Sequence, residues 1–269
     1  MNLKPVFGTI EWQDDAARVS CAEALTQLSF SSIPFLVGGT CALRHYTHTG
    51  RQTKDLDVFV LPGDVQRVLD LFQSLGYRTA LPFPHCLGKV FIDDFPIDVI
   101  FSSGNAVARV DDRWFAHAVD GEVCGVPVRL CPAVEMIWSK AFVQERERFD
   151  GADVLHLLRA LGPTLDWTRL LQRFGPHWRV LLGHLVFFGF VFPDERHQIP
   201  IWVKEELIAR FAKEPSETGN PVCNGTLLSR EQYLDDVQEG AYWDARLEPV
   251  GSMTRDELDI WTAAIDEKT

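Results

Sequence analysis

The residues with the clearest chemical potential are two glycines and three aspartates, spread over Gly38 to Asp98. In Asp55-Leu56-Asp57-Val58-Phe59-Val60 the residue types alternate. A strand over this run sends both carboxylates to one side and Leu56 and Val58 to the other. Two carboxylates on one strand face make a poor core, because each loses its hydration and repels its neighbour. They suit a divalent cation instead, since Mg²⁺ takes hard oxygen ligands and shares them with substrate phosphates.

Upstream, the apolar run Phe35-Leu36-Val37 breaks at Gly38-Gly39-Thr40. A turn without Cβ atoms lets backbone N–H groups approach an anion closely. A helix starting there, over Cys41 to Tyr46, adds the positive end of its dipole. The Thr40 hydroxyl then caps that helix or donates to a phosphate oxygen. A phosphate cradle followed closely by a carboxylate pair implies a nucleoside triphosphate and its metal.

This order of parts resembles the DNA polymerase β-like nucleotidyltransferase superfamily: a strand, a glycine pair, a short helix, then Asp-x-Asp on the next strand. Here the signature reads Gly38, Gly39, Thr40, Asp55 and Asp57, and Phe95-Pro96-Ile97-Asp98-Val99-Ile100-Phe101 supplies the superfamily's later strand aspartate at Asp98. The resemblance implies an α+β fold, a mixed sheet flanked by helices. It also implies Mg²⁺ or Mn²⁺ as cofactor and NTP as substrate. Asp55, Asp57 and Asp98 become the metal ligands, with Asp98 as base toward a hydroxyl acceptor. Gly38, Gly39, Thr40, Arg51 and Lys54 become nucleotide contacts.

A narrower motif order, Arg51-x-Thr53-Lys54-Asp55-Leu56-Asp57, then Asp98, Lys140 and Asp150-x-x-Asp153, is similar to nucleotidyltransferases related to abortive-infection type IV toxins. That similarity gives Lys140 a grip on nucleotide phosphates as a point charge. Asp150 or Asp153 then orients it or the acceptor. It also brings RNA into view as acceptor and a cognate antitoxin as partner.

Plainer readings stand beside these. Asp55 and Asp57 read as a solvated strand end beside Lys54, and Asp98 as an edge residue. Lys140 reads as a surface lysine with Asp150 as a helix N-cap. His45 and His48 lack a second ligand pair and belong to a helix end or loop. The stripe Leu181, Leu182, Leu185, Val186, Phe187, Phe188 reads as core. A non-catalytic nucleotide- or partner-binding module is the rival function of another class, and a toxin the rival among enzymes.

The elements that position these residues follow from periodicity. Apolar spacing at Ala16, Val19, Ala22, Leu25 and Leu28 predicts a helix over Asp15 to Leu28. A second runs from Val65 to Leu75 and closes at Gly76. Lys89 to Ile92 and Pro96 to Phe101 form strands around an Asp93-Asp94-Phe95 turn, and Gly121 to Cys131 a further hairpin. From Pro132 the period becomes helical, with helices after Pro132, at Val154 to Leu161, Asp166 to Phe174, His177 to Phe188 and Ile201 to Ala212. Residues 1–131 are read as the catalytic core, 132–192 as a helical region completing the site, and 193–269 as a tail packed on the core. In that tail Ser229 with Gln232, and Thr254 with Glu257, have capping-box spacing.

The 269 residues suffice for a full core, and 46% hydrophobic with 24% charged residues is ordinary for a globular protein. No apolar run approaches a bilayer span of about 20 residues, and the N-terminus has no secretory pattern. Six cysteines without a C-x-x-C pair point to reduced thiols in a cytoplasmic protein. The net charge of −12 argues against non-specific coating of nucleic acid but leaves room for a local basic cleft.

Overall fold

A computed structural model describes residues 12–49, 52–214, 219 and 221–264. Two compact units divide the chain. One runs to Ser102 and resumes over Arg109–Pro132, and the other takes Ser103–Ala108 and everything from Ala133 onward.

The first unit is built on a seven-stranded mixed sheet. Helix α1 (Asp15–Phe30) starts where the Asp14 carboxylate accepts the Ala17 N–H at 2.7 Å. Strand β1 (Leu36–Val37) leads into α2 (Gly39–Thr47), then β2 (Leu56–Phe59) and α3 (Val65–Ser74). Three strands follow, β3 (Arg78–Phe83), β4 (Leu87–Ile92) and β5 (Phe95–Ile100). After α4 (Asp112–Ala116), β6 (Val119–Val123) and β7 (Val126–Leu130) complete the sheet in the order β3-β4-β5-β2-β1-β7-β6. Within this sheet, among the described residues, only β2–β5 and β1–β7 are parallel pairs. The fold is therefore α+β, with a mostly antiparallel mixed sheet flanked by helices.

Alternation sorts the sheet's two faces. Leu56, Val58, Val90, Ile92, Ile97 and Val99 are buried on one face. α1 and α3 both pack on this sheet, α3 against β3 and β4. Asp57, Lys89 and Asp98 share the other, half-exposed face. In α1 the buried stripe is Ala17, Cys21, Ala24, Leu25 and Leu28, whereas Val19 is exposed. Small alanine and cysteine side chains let two neighbouring helix faces look equally apolar in sequence, and the Cys21 face is the one that turns inward.

The second unit is mainly helical, with α5 (Ala133–Ala141), α6 (Gly151–Leu161), α7 (Trp167–Phe174), α8 (Trp178–Val191) and α9 (Ile201–Ala212). Val134, Ile137, Trp138 and Ala141 of α5, and Phe142 just after it, are buried. In α8 the helical period selects Leu181, His184, Leu185 and Phe188 as the inner face. Val186 and Phe187, read as core from composition, are 64% and 55% exposed. An apolar run longer than one helix face necessarily leaves some members outside.

The tail adds β8 (Val222–Cys223), α10 (Leu234–Gln238), β9 (Trp243–Asp244) and α11 (Arg255–Ala263). Thr254 and Glu257 form the capping box at the start of α11. Ser229 Oγ accepts from the Gln232 N–H at 3.2 Å, but the next helix begins only at Leu234, so Ser229 organises a turn. Tyr242 and Trp243 are exposed rather than wrapped onto a core. Arg246, almost wholly buried, grips Asp244 through Nε–Oδ1 at 3.0 Å and Nη2–Oδ2 at 2.6 Å, and anchors this segment. Among the described residues no helix is long and apolar enough to cross a membrane.

Candidate active site

The glycine turn and the first carboxylate strand are stitched together directly. Gly38 N–H donates to the Asp57 main-chain oxygen at 3.0 Å, and Gly38 O accepts from Ala42 N at 3.1 Å to open α2. Gly39 has a φ of +51°, a left-handed conformation that L side chains rarely adopt. A Cβ there would lie 1.6 Å from Asp57 Oδ2. The Asp57 carboxylate therefore rests against the backbone at the helix start, in space that any residue but glycine would fill. Gly38 is equally constrained, since a Cβ on it would meet the Phe59 ring at 2.3 Å. Phe59 in turn stacks on fully buried Trp114 at 5.3 Å between ring centroids.

Asp98 reaches the same face through strand pairing. β2 and β5 run parallel with Asp57 opposite Asp98. Neighbouring strands lie about 4.8 Å apart, so the two carboxylates occupy adjacent places in one row. Asp55 lies in a bend immediately before β2, and its charge, like that of Asp57, acts on the Cys41 thiol. The Asp55 carbonyl accepts from Thr53 Oγ1 at 2.9 Å, which fixes the chain entering the strand. Lys54 is exposed and Thr40 half-buried in the first turn of α2. Arg51 lies outside the described residues.

The field in this corner is negative. Burial, reinforced by the charges of Asp57, Cys124 and Asp55, pushes the Cys41 thiol far above its ordinary pKa. His45 lies in the last turn of α2 and His48 is its left-handed C-cap, so both serve the helix end. None of the six cysteines is joined in a disulfide.

One residue escaped the sequence reading. Lys89 on β4 stands opposite Asp98, and its Nζ lies 2.6 Å from Asp98 Oδ1. Its signal was present in the strand Lys89-Val90-Phe91-Ile92, where a charged residue alternates with apolar ones and shares the parity of Phe91. Among the described residues no three His, Cys, Asp or Glu side chains form a ready cluster for a metal ion. The donor chemistry nonetheless suits a hard divalent cation. The Asp57 carboxylate lies against the glycine turn, where the missing Cβ at Gly39 leaves it its place.

Lys140, Asp150 and Asp153 belong to the second unit. Lys140 Nζ lies 3.0 Å from Asp150 Oδ2 and 2.9 Å from Asp153 Oδ2, and its side chain is only 14% exposed. Arg148 adds a second cation to Asp150 at 3.1 Å. Lys140 is thus no surface lysine, and Asp150 occupies the N-cap position of α6 without capping through its side chain. Burial opposes the Lys140 ammonium, yet Asp150 and Asp153 outweigh it and hold its pKa above the ordinary value. For Asp150 burial is likewise outweighed, by Lys140 and Arg148, and its pKa is held below the ordinary value. Two open grooves in this unit, of about 790 and 360 Å³, are lined by none of the candidate site residues, the smaller one taking in Leu185, Val186 and Phe188 of the apolar stripe.

No protein-family model and no curated protein matches the chain. Among solved structures it is similar to the antibiotic-resistance factor ANT(2'')-Ia, with a TM-score of 0.41 and 15% identity over 74% of this chain and 95% of that one. It is also similar to the lincosamide antibiotic adenylyltransferase LnuA bound to lincomycin, with a TM-score of 0.38 and 10% identity over 52% and 94% of the two chains. A third is an antigenic nucleotidyltransferase-like protein from Paracoccidioides brasiliensis, with a TM-score of 0.37 and 13% identity over 64% and 92%.

Proposed function

We propose that this chain is a divalent-metal-dependent nucleotidyltransferase that moves NMP from an NTP to a hydroxyl acceptor. The observation that carries this reading is the single row formed by the Gly38-Gly39 turn, Asp57 and Asp98. In it the turn's N–H bonds to Asp57 at 3.0 Å and Asp57 is in register with Asp98.

In this reading the Gly38–Thr40 backbone and the start of α2 receive the triphosphate, with Lys54 as a nearby cation. Asp55, Asp57 and Asp98 would hold Mg²⁺ or Mn²⁺, which neutralises charge developing on the phosphates. Asp98 takes the proton of the entering hydroxyl. That oxygen bonds to the α-phosphorus, the bond from the α-phosphorus to the bridging oxygen breaks, and pyrophosphate leaves in line. Lys140, already shared by two carboxylates, serves the cohesion of the second unit.

The deciding experiment measures Mg²⁺- or Mn²⁺-dependent pyrophosphate release from each of the four NTPs, with Asp57→Ala as control. Turnover that the variant lacks supports transfer. Nucleotide that binds and is never turned over, with a broad panel of acceptors and cell extract present, overturns it in favour of a binding module. Labelled NTP incubated with extract then identifies the acceptor by what carries the label.

A further inference from the structure

The charged row does not stop at Asp98. Read across the sheet by register, it runs Asp57, Asp98, Lys89, Ala80. Lys89 therefore closes it with a single positive charge, and Ala80 beyond brings none. The Lys89 and Asp98 side chains are 31% and 19% exposed, so water screens their 2.6 Å contact only in part. An ammonium at that distance occupies the same oxygen that a divalent ion would need.

We propose that Lys89 is a resident counter-cation for Asp98, a positioning residue that competes with the metal for this carboxylate. This rests on the nucleotidyltransferase reading. In the metal-free protein Lys89 holds the Asp98 carboxylate in place beside its register partner Asp57. The cation site that relies on Asp98 is then weaker than the one built on Asp55 and Asp57. It fills when the incoming triphosphate contributes its own oxygens, and the Lys89 ammonium is released toward the bound substrate.

The same pair could serve only to tie β4 to β5, and metal affinity separates the two roles. Removing a purely structural pair leaves ion binding unchanged or weakens it. Removing a competitor strengthens it.

The test is a Mn²⁺ titration followed by the electron paramagnetic resonance of the free ion, with and without a non-hydrolysable NTP analogue. Wild type, Lys89→Met, Lys89→Gln, Lys89→Arg and Asp57→Asn are compared, each checked for folding by circular dichroism. The two neutral variants are expected to bind the weaker ion at least about tenfold more tightly in the absence of nucleotide, and Lys89→Arg to behave as wild type. A weaker site that is unchanged or loosened in whichever neutral variant folds overturns the role of Lys89. Failure of the underlying reading looks different: no protein in the set binds Mn²⁺, or Asp57→Asn binds it as well as wild type does.

Discussion

Asp57 and Asp98 are direct register partners on the parallel strands β2 and β5, although forty residues separate them in the chain. Such a pairing sets two like charges one strand spacing apart, an arrangement that costs stability unless a cation sits between or beside them. Lys89 supplies that cation for Asp98. Replacing either aspartate by asparagine is therefore expected to lower metal-dependent pyrophosphate release by about 10²–10³-fold. Asp98→Asn also strands the Lys89 charge, so a thermal melt should drop for that variant. Equal activity in either variant would mean that the row is not where the chemistry occurs.

Gly39 gives a second handle on the same geometry. An alanine there must accept a left-handed backbone, at about 1–2 kcal/mol. It must also drive Asp57 Oδ2 from a position 1.6 Å from the new Cβ. The backbone cost is modest, whereas displacing a ligand by an ångström is expected to reduce turnover about 10²-fold. Gly39→Ala should consequently remain folded by circular dichroism and lose most of its kcat. A variant that loses fold and activity together would assign Gly39 a structural part only.

The carboxylate strand, the glycine turn and the hairpin bearing Asp98 were all legible in sequence, because each carries a local signal. Asp55-Leu56-Asp57-Val58 alternates, Gly38-Gly39 breaks an apolar run, and Asp93-Asp94 is a turn between two alternating runs. What could not be read was register. Nothing in the sequence fixes that Asp57 faces Asp98, or that Lys89 lies beyond it, since pairing of distant strands depends on the packing of the whole sheet. The same holds for the inner face of α8. Its apolar residues outnumber the places on one helix face, and the position taken inward among them is polar His184.

The Lys140 network makes a prediction about stability. Its side chain and those of Asp150 and Asp153 are all at least 85% buried, by exposures of 14%, 5% and 15%. Taking the lysine away leaves two buried carboxylates without its charge, Asp150 keeping Arg148, and breaking a buried pair this way costs about 3–5 kcal/mol. Lys140→Met should lower the unfolding free energy read from urea denaturation by that amount, and Asp153→Asn introduced with it should recover part of the loss. The pH dependence has a defined sign. The raised Lys140 pKa gives stability that is complete below the ordinary lysine value of 10.5 and lost as pH rises beyond it. The lowered Asp150 pKa gives stability that is complete above 3.8 and lost as pH falls below it. A midpoint unmoved in Lys140→Met would show that the network contributes nothing net.

His184 sets the acid limit of the same unit. It is 2% exposed, stacks on Phe149 and has Nε2 2.9 Å from the Ala141 carbonyl. A carbonyl accepts, so Nε2 carries the hydrogen, and Nδ1 is buried without a hydrogen-bond partner. Adding a proton to Nδ1 would bury a cation, and burial accordingly lowers the His184 pKa, with the Ala141 bond opposing it only in part. The unfolded chain takes its proton first, near the ordinary value of 6.5, so the stability contributed by the neutral ring is complete above that pH and erodes as pH falls. Burial lowers His177 as well, and it acts in the same direction. Urea unfolding at pH 7.5, 6.0 and 5.0 should show declining stability in wild type. His184→Gln, which keeps a donor for Ala141 but cannot be protonated, should show a shallower decline, with His177 accounting for part of the remainder. Parallel profiles for the two proteins would place the acid sensitivity elsewhere.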